Sequence, residues 1–286
     1  MVTIDSFKPF TLHVRGEVRR YSEPLVMGIL NVTPDSFFAG SRAEDSVAIE
    51  ARIATLVKQG ADIIDVGGYS TRPGAPEVDP QEEQCRVERG LLAVRRIAPQ
   101  VLTSVDTFRA SVAEHAVEAC GCDMVNDVAG GTLDAQMFAT VARLQVPYIL
   151  MHMRGTPAIM QQLTDYDNLT RDIVADLARK ADELRQMGAT DIILDPGFGF
   201  SKTLDQNYEL LAHMEQFQSL GLPLLVGVSR KSMIFRALGG TPAEALNGTT
   251  VINTLALLKG AQILRVHDVQ PAVEARKLVS LTLTNL

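Results

Sequence analysis

Cysteine is scarce in this chain: there are three, Cys85, Cys120 and Cys122, in 286 residues. An odd number without framework spacing excludes a disulfide scaffold and fits a reducing compartment. Cys120-Gly121-Cys122 is too tight and too isolated for a zinc site, which needs further Cys or His at suitable spacing. Basic residues are not in excess either. Lysine and arginine number 27 against 34 aspartates and glutamates, a net charge of −7. That balance argues against a general nucleic-acid or membrane-surface binder, although it leaves room for a local basic pocket. No apolar run reaches the roughly 18 residues of a membrane span. Residues 1–14 lack a basic stretch followed by an apolar one, so no secretory signal is read there. Low-complexity segments, internal repeats and interdomain linkers are also missing. The expectation is a soluble cytoplasmic protein with one domain over 1–286.

What the chain does have is a recurrence. Eight short apolar runs, at 25–31, 61–65, 101–106, 122–126, 146–152, 191–195, 223–229 and 262–267, each finish on a polar or chemically distinctive residue. Short continuous apolar runs read as buried parallel strands. Helical patterns lie between them, at 46–59, 80–97, 111–120, 135–144, 165–187, 205–217, 243–259 and 272–281, with a shorter one at 231–238. Strands alternating with helices imply βαβ units. Eight such units predict an α/β fold, a single (β/α)8 TIM barrel whose active site lies at the C-terminal ends of its strands. The alternating stretch at about 10–22, around Arg15-Gly16, predicts a short N-terminal β-hairpin that plugs the opposite end. Two long loops, 33–42 and 67–79, follow the first two strands and are rich in Gly, Pro and polar residues, as functional barrel loops are.

If the barrel closes, Asn31, Asp65, Asp106, Asn126, Asp195, Lys231, Arg265 and His267 gather at one mouth. The acids and amide suit a ligand rich in N–H donors, because a carboxylate accepts two parallel N–H bonds from a guanidine-like edge. A bound hard cation is a weaker reading, since no compact ligand motif links these residues. The run Ser229-Arg230-Lys231-Ser232 and the pair Arg265 and His267 suit an anion, with Asp268 placed to cap the next helix. Barrel enzymes often bind phosphate in the loops after strands seven and eight. Gly197-Phe198-Gly199-Phe200 allows close backbone approach and offers an aromatic wall. His13, His115, His152 and His213 read as structural or exposed.

Taken in order, the segments MGILNVTPDSFF at Asn31, DVGGYSTRPGA at Thr71 and Arg72, SVDT at Asp106, VND at Asn126, LMHM at Met151, DPGFGF at Asp195, SRKS at Lys231 and RVHDV at His267 resemble the dihydropteroate synthases. The resemblance runs from about residue 25 to the C-terminus. It implies a homodimeric transferase of folate biosynthesis. Such enzymes condense 6-hydroxymethyl-7,8-dihydropterin pyrophosphate with p-aminobenzoate, with Mg2+ on the pyrophosphate and sulfonamides competing for the aminobenzoate site. The same resemblance assigns Asp106, Asn126, Met151, Asp195, Phe200, Gly227, Lys231 and Arg265 to the pterin. It gives Asn31, Arg72, Arg265 and His267 to the pyrophosphate, with Asn31 at the metal. Phe37, Thr71, Arg72, Pro73, Phe200, Lys231 and Ser232 go to p-aminobenzoate. The catalytic set it implies is Asn31, Thr71, Arg72, Asp106, Lys231, Arg265 and His267, acting by a dissociative, SN1-like route. One position departs from the pattern: Tyr69 stands where many members have Glu.

Two alternatives share the pterin cluster. A folate-linked methyltransferase would not need the TPDSF and STRPG loops, which are present. A non-catalytic pterin-binding paralogue would be expected to have lost loop or phosphate residues, and Asn31, Arg72, Lys231, Arg265 and His267 remain. An aldolase using Lys231 as a Schiff base is disfavoured by its Ser/Arg surroundings.

Overall fold

A computed structural model describes residues 7–33, 42–70 and 77–285. Phe37, Thr71, Arg72 and Pro73 lie outside the described residues. The chain opens on an antiparallel hairpin, β1 (Phe10–Val14) and β2 (Glu17–Tyr21). Its turn residues Arg15 and Gly16 have φ of 55° and 77°, the left-handed pair that a two-residue hairpin loop requires.

Strands and helices then alternate: β3 (Leu25–Asn31), α1 (Arg42–Lys58), β4 (Ile63–Gly67), α2 (Pro80–Ile97), β5 (Leu102–Asp106), α3 (Ala110–Glu118), β6 (Met124–Asp127), α4 (Met137–Leu144), β7 (Tyr148–Met151), α5 (Leu169–Gln186), β8 (Ile192–Asp195), α6 (Leu204–Ala212), β9 (Leu225–Val226), α7 (Ser232–Ala237), α8 (Leu246–Leu258), β10 (Ile263–Val266) and α9 (Val269–Thr284). Among the described residues, β3 to β10 form one parallel sheet in the order β8-β7-β6-β5-β4-β3-β10-β9. A parallel bridge between Leu194 and Leu224 joins its two outer strands, and Leu194 N donates to Pro223 O across 2.8 Å. The sheet is thereby closed into the expected (β/α)8 barrel.

Side chains alternate along each strand, and here the alternation sorts two cores. Outward residues such as Val26, Leu30, Ile64, Val66, Val105 and Val125 pack under the helices. Inward residues start apolar. Leu25, Met27, Ile63, Leu102, Met124, Ile149, Ile193, Leu225 and Ile263 fill the barrel floor against Phe10, Leu12 and Val14 of the hairpin. The hairpin does plug the N-terminal end. It is fastened by Arg15, whose Nε and Nη2 donate to the Asp123 carboxylate at 2.8 and 2.9 Å. Two to four residues further along each strand, the inward positions become Asn31, Asp65, Asp106, Asn126, Met151, Asp195, Gly227 and Arg265. The chemistry therefore sits on top of an apolar plug.

Several boundaries differ from the sequence expectation for local reasons. Helix α5 starts at Leu169 because the Asn168 side chain accepts from Arg171 N and caps it there. Helix α9 starts before Pro271, which falls in its first turn, where proline's missing N–H has no helical partner to lose. The segment expected as one helix at 205–217 breaks at His213 into α6 and a 3-10 turn, Met214–Leu220. The run at 223–229 stays buried, but its ladder ends at Val226, and Lys231 N turns back onto Val228 O.

Candidate active site

Arg265, on β10, is the centre of the mouth. Its Nε donates to Asp65 Oδ2 at 2.7 Å and its Nη2 to Asp106 Oδ2 at 2.5 Å. Asn126 Nδ2 donates to the same Asp65 oxygen at 3.0 Å. Strand β4 runs on to Gly67, so Asp65 is not a strand end. It lies one layer below the rim, fully buried, and ties Arg265 to Asn126. Burial works against the Arg265 guanidinium, but the two carboxylates outweigh it and hold its pKa above the ordinary value. Burial pushes the Asp106 carboxyl up to about 7 against the pull of Arg265.

Asp195 ends β8, and its Oδ1 accepts from Gly197 N at 2.8 Å. Gly197 has φ +71°, and a Cβ there would lie 2.0 Å from His152 O, so only glycine fits this turn. Burial raises the Asp195 carboxyl, with Lys231 opposing. Lys231 Nζ donates to Phe198 O at 2.5 Å and lies 4.6 Å from the centre of the Phe200 ring. Burial brings this lysine down to about 8, with Asp195 opposing. Phe200 packs onto the apolar cluster of Val128, Ala129, Met151, Met153 and Met160. Gly227 faces the stem of Arg265; a Cβ there would lie 3.8 Å from that of Arg265. Acceptors, a cation, a bare backbone patch and a soft apolar wall thus surround one space.

The anion side is organised differently from the sequence expectation. Arg230 does not offer itself to a ligand. Its Nε and Nη2 grip Asp268 at 2.7 and 3.0 Å, and its Nη1 donates to Pro242 O and Ala243 O. Asp268, held there, makes no side-chain cap on α9. This pair fastens the loop after β9 to the loop after β10. Beside it, Ser229 Oγ accepts from His267 N at 3.1 Å and lies 3.1 Å from His267 Nδ1. Ser232 opens α7. Asn31 ends β3 with its Oδ1 beside Gly67.

Among the described residues no group of three or more His, Cys, Asp or Glu could hold a metal. One neutral oxygen, Asn31 Oδ1, fits only a cation that arrives with most of its oxygen ligands supplied by a phosphate substrate. Tyr69, the departure from the family pattern, packs edge-on against Phe108 at 5.2 Å. The Arg109 guanidinium lies 5.3 Å from the Tyr69 ring and is held by buried Glu83 at 2.6 Å. Tyr69 thus sits in an aromatic and cationic setting.

The structure brings together Asn31, Asp106, Asn126, Met151, Asp195, Phe200, Gly227, Lys231, Ser232, Arg265 and His267 at the C-terminal mouth. Three further residues support them. Asp65 is a mouth candidate in the sequence, but no role follows from its position there. Ser229 stands in the sequence only as part of a basic run. Lys202 carried no signal beyond standing two residues after Gly-Phe-Gly-Phe. The three cysteines are unpaired, and no described helix is long and apolar enough to cross a membrane.

A family model described as "Pterin binding enzyme" matches residues 27–267. The dihydropteroate synthase of Escherichia coli is 40% identical over 281 residues, covering 96% of both chains. Among solved structures, the Yersinia pestis dihydropteroate synthase in complex with a sulfonamide drug superposes with a TM-score of 0.88 at 38% identity, covering 96% of this chain and all of that one. The Xanthomonas albilineans dihydropteroate synthase with 4-aminobenzoic acid does so at 0.86 and 36%, covering 96% and 98%.

Proposed function

The chain belongs to the dihydropteroate synthase family of pterin-binding enzymes, transferases of folate synthesis, and from that premise we propose that it joins 6-hydroxymethyl-7,8-dihydropterin pyrophosphate to p-aminobenzoate, releasing pyrophosphate. The observation that carries this reading is the set of acceptors Asp106, Asn126 and Asp195, the last two buried and the first on the Arg265 guanidinium, with Met151 and Phe200 as a wall. A flat heterocycle with an N–H-rich edge satisfies such acceptors, and few other ligands do.

Asp195, with one oxygen on Gly197 N, directs the other at the amino-pyrimidine edge. Asn126 donates to Asp65, so its amide oxygen is the atom left to accept. Lys231 turns its N–H from Phe198 O to the pterin carbonyl. The ring lies over Gly227 and the stem of Arg265. Asn31, Arg265 and His267 face the pyrophosphate, and Arg72 joins them by family resemblance. Where Mg2+ accompanies the pyrophosphate, Asn31 would be the residue to hold it, and the ion would supply charge stabilisation to the leaving group.

The bond to pyrophosphate breaks first, leaving a methylene cation conjugated with the electron-rich pterin. Such a step depends on stabilising the leaving charge, which the Arg265 and His267 side supplies. The arylamine is neutral at working pH and attacks without a dedicated base. Its site comprises Phe200, Lys231 and Ser232 with Phe37, Thr71, Arg72 and Pro73. The aminobenzoate and sulfonamide named with the two relatives' structures support that subsite here. We also place the reaction in the cytoplasm, in keeping with three unpaired thiols, and assign the chain to a homodimer. Leu246, Val251 and Leu255 of α8 and Leu278 and Leu281 of α9, two helices packed together, are exposed, and we take them as apolar side chains that a second copy would cover.

Calorimetry of the pterin pyrophosphate against Asp195→Asn tests the pterin orientation. Loss of measurable binding is expected, because an N–H edge loses its charged acceptor. Wild-type affinity in that variant would refute the assignment.

A further inference from the structure

The turn Gly197–Phe200, which carries the backbone around Asp195, is held from two sides. On the ligand side Lys231 Nζ binds Phe198 O at 2.5 Å. From the core side Lys202 Nζ donates to Gly197 O at 2.8 Å and Phe200 O at 2.9 Å, and lies 3.2 Å from His152 Nδ1. Lys202 is 3% exposed, and among the described residues none of its hydrogen-bond partners is a carboxylate. A buried lysine without a carboxylate partner is an expensive way to fill space. Its three contacts converge on one short turn and on the end of the neighbouring strand β7.

We propose that Lys202 is a positioning residue for pterin recognition: it tethers the Gly197–Phe200 turn to His152 so that Asp195 stays aimed when Lys231 is taken over by the substrate. The proposal rests on the pterin reading of the mouth. In that reading Lys231 leaves Phe198 O for the pterin carbonyl, and the turn loses its ligand-side tie at the moment when Asp195 must be fixed. The core-side tie, on buried Lys202, stays in place. Gly199 N on Asn207 Oδ1 at 2.6 Å and Gln161 Nε2 on Gly199 O at 3.0 Å secure the turn's outer edge, and Phe200 N closes it on Gly197 O, but among the described side chains only Lys202 reaches the carbonyls at both its ends.

The tether does not depend on the charge of Lys202, which burial brings down to about 7 with Asp195 opposing. His152, lowered by burial to about 2, is neutral at any working pH. An ammonium donates to both carbonyls and to His152 Nδ1. A neutral amine donates to the same carbonyls and accepts from the other His152 tautomer. Either way the set of partners is complete.

The test compares wild type with Lys202→Met, which removes every contact, and Lys202→Gln, a milder lesion in case the first fails to fold. Binding of the pterin pyrophosphate is measured without p-aminobenzoate, alongside hydrogen exchange of the peptide 196–203 and the two KM values. The expected result is pterin binding weakened by about tenfold or more. Faster exchange should be confined to 196–203, and the KM for p-aminobenzoate should change far less. Wild-type pterin affinity or unchanged exchange in both variants would overturn the proposal. Faster exchange spread through β8 and α6 would also overturn it, marking a merely structural lysine. If the wild-type chain itself fails to bind the pterin, the functional reading falls on its own, while the exchange arm still decides the tether.

Discussion

Arg265 is the residue on which most of the others depend, and Asp65 is the residue that holds it. A guanidinium reaching two carboxylates from the barrel wall has few rotamers left, so it presents a fixed face to a ring and a fixed charge to an anion. Removing a fully buried partner leaves a charge under-compensated. Asp65→Ala is therefore expected to lower unfolding stability by about 3 kcal/mol and to raise the pterin KM. Urea unfolding and steady-state kinetics check both, and wild-type values for both would contradict the role. The titrating groups give a second expectation. Lys231, at about 8, is an ammonium below that pH and a weaker neutral donor above it, so pterin affinity should fall as pH climbs through that value. Asp106, at about 7, is a charged acceptor above that pH and loses its charge as pH falls through it. The profile should peak between the two limbs. Lys231→Arg stays charged and should flatten the alkaline limb; an unaltered alkaline limb would exclude Lys231 as its source. Sequence showed these ionisable residues because they interrupt apolar runs. It could not show which were partners of one another. Asp65 and Arg265 lie 200 positions apart, and their contact exists only once the barrel closes.

At the scale of elements, each barrel strand has an apolar foot, and all but β7 and β9 have a polar head. That is why strand ends are legible as site candidates, while the helices between them show mainly a packing face. The turns are where reading failed. Arg230 and Asp268 have the residue types of an anion contact and a helix cap, yet they satisfy each other. A bidentate pair joining two loops uses up both charges, and no local pattern announces it. The glycines of these turns are separable by experiment. A Cβ at Gly197 would strike His152 O, so Gly197→Ala should unfold the turn and lower the melting temperature. At Gly227 the nearest atoms would stand at 3.8 Å, ordinary contact distance. Gly227→Ala should therefore keep the wild-type melting temperature while weakening pterin binding, because the added methyl occupies the patch on which the ring lies. Unimpaired pterin binding in that variant would move the ring elsewhere.

At the scale of the whole molecule, the barrel separates stability from chemistry. The hairpin and the floor residues supply an apolar plug at one end, and the polar heads meet at the other. Leu12→Ala, in the plug, should cost about 3 kcal/mol while leaving kcat/KM of the folded enzyme within about twofold, because the site lies at the opposite face. A large fall in kcat/KM at temperatures where the variant remains folded would show that the two ends are coupled. The same division explains why the architecture is legible in the sequence: eight repeats of a short continuous apolar run and a period-3.6 helix predict closure without reference to any ligand. Dihydropteroate formation at this mouth is tested by one reaction. Wild-type chain, pterin pyrophosphate and Mg2+ are incubated with and without p-aminobenzoate, and pyrophosphate and pteridine products are followed together. The account expects 7,8-dihydropteroate to form only when p-aminobenzoate is present, with one pyrophosphate released for each. Absence of that product, or pyrophosphate released without it, would contradict the account.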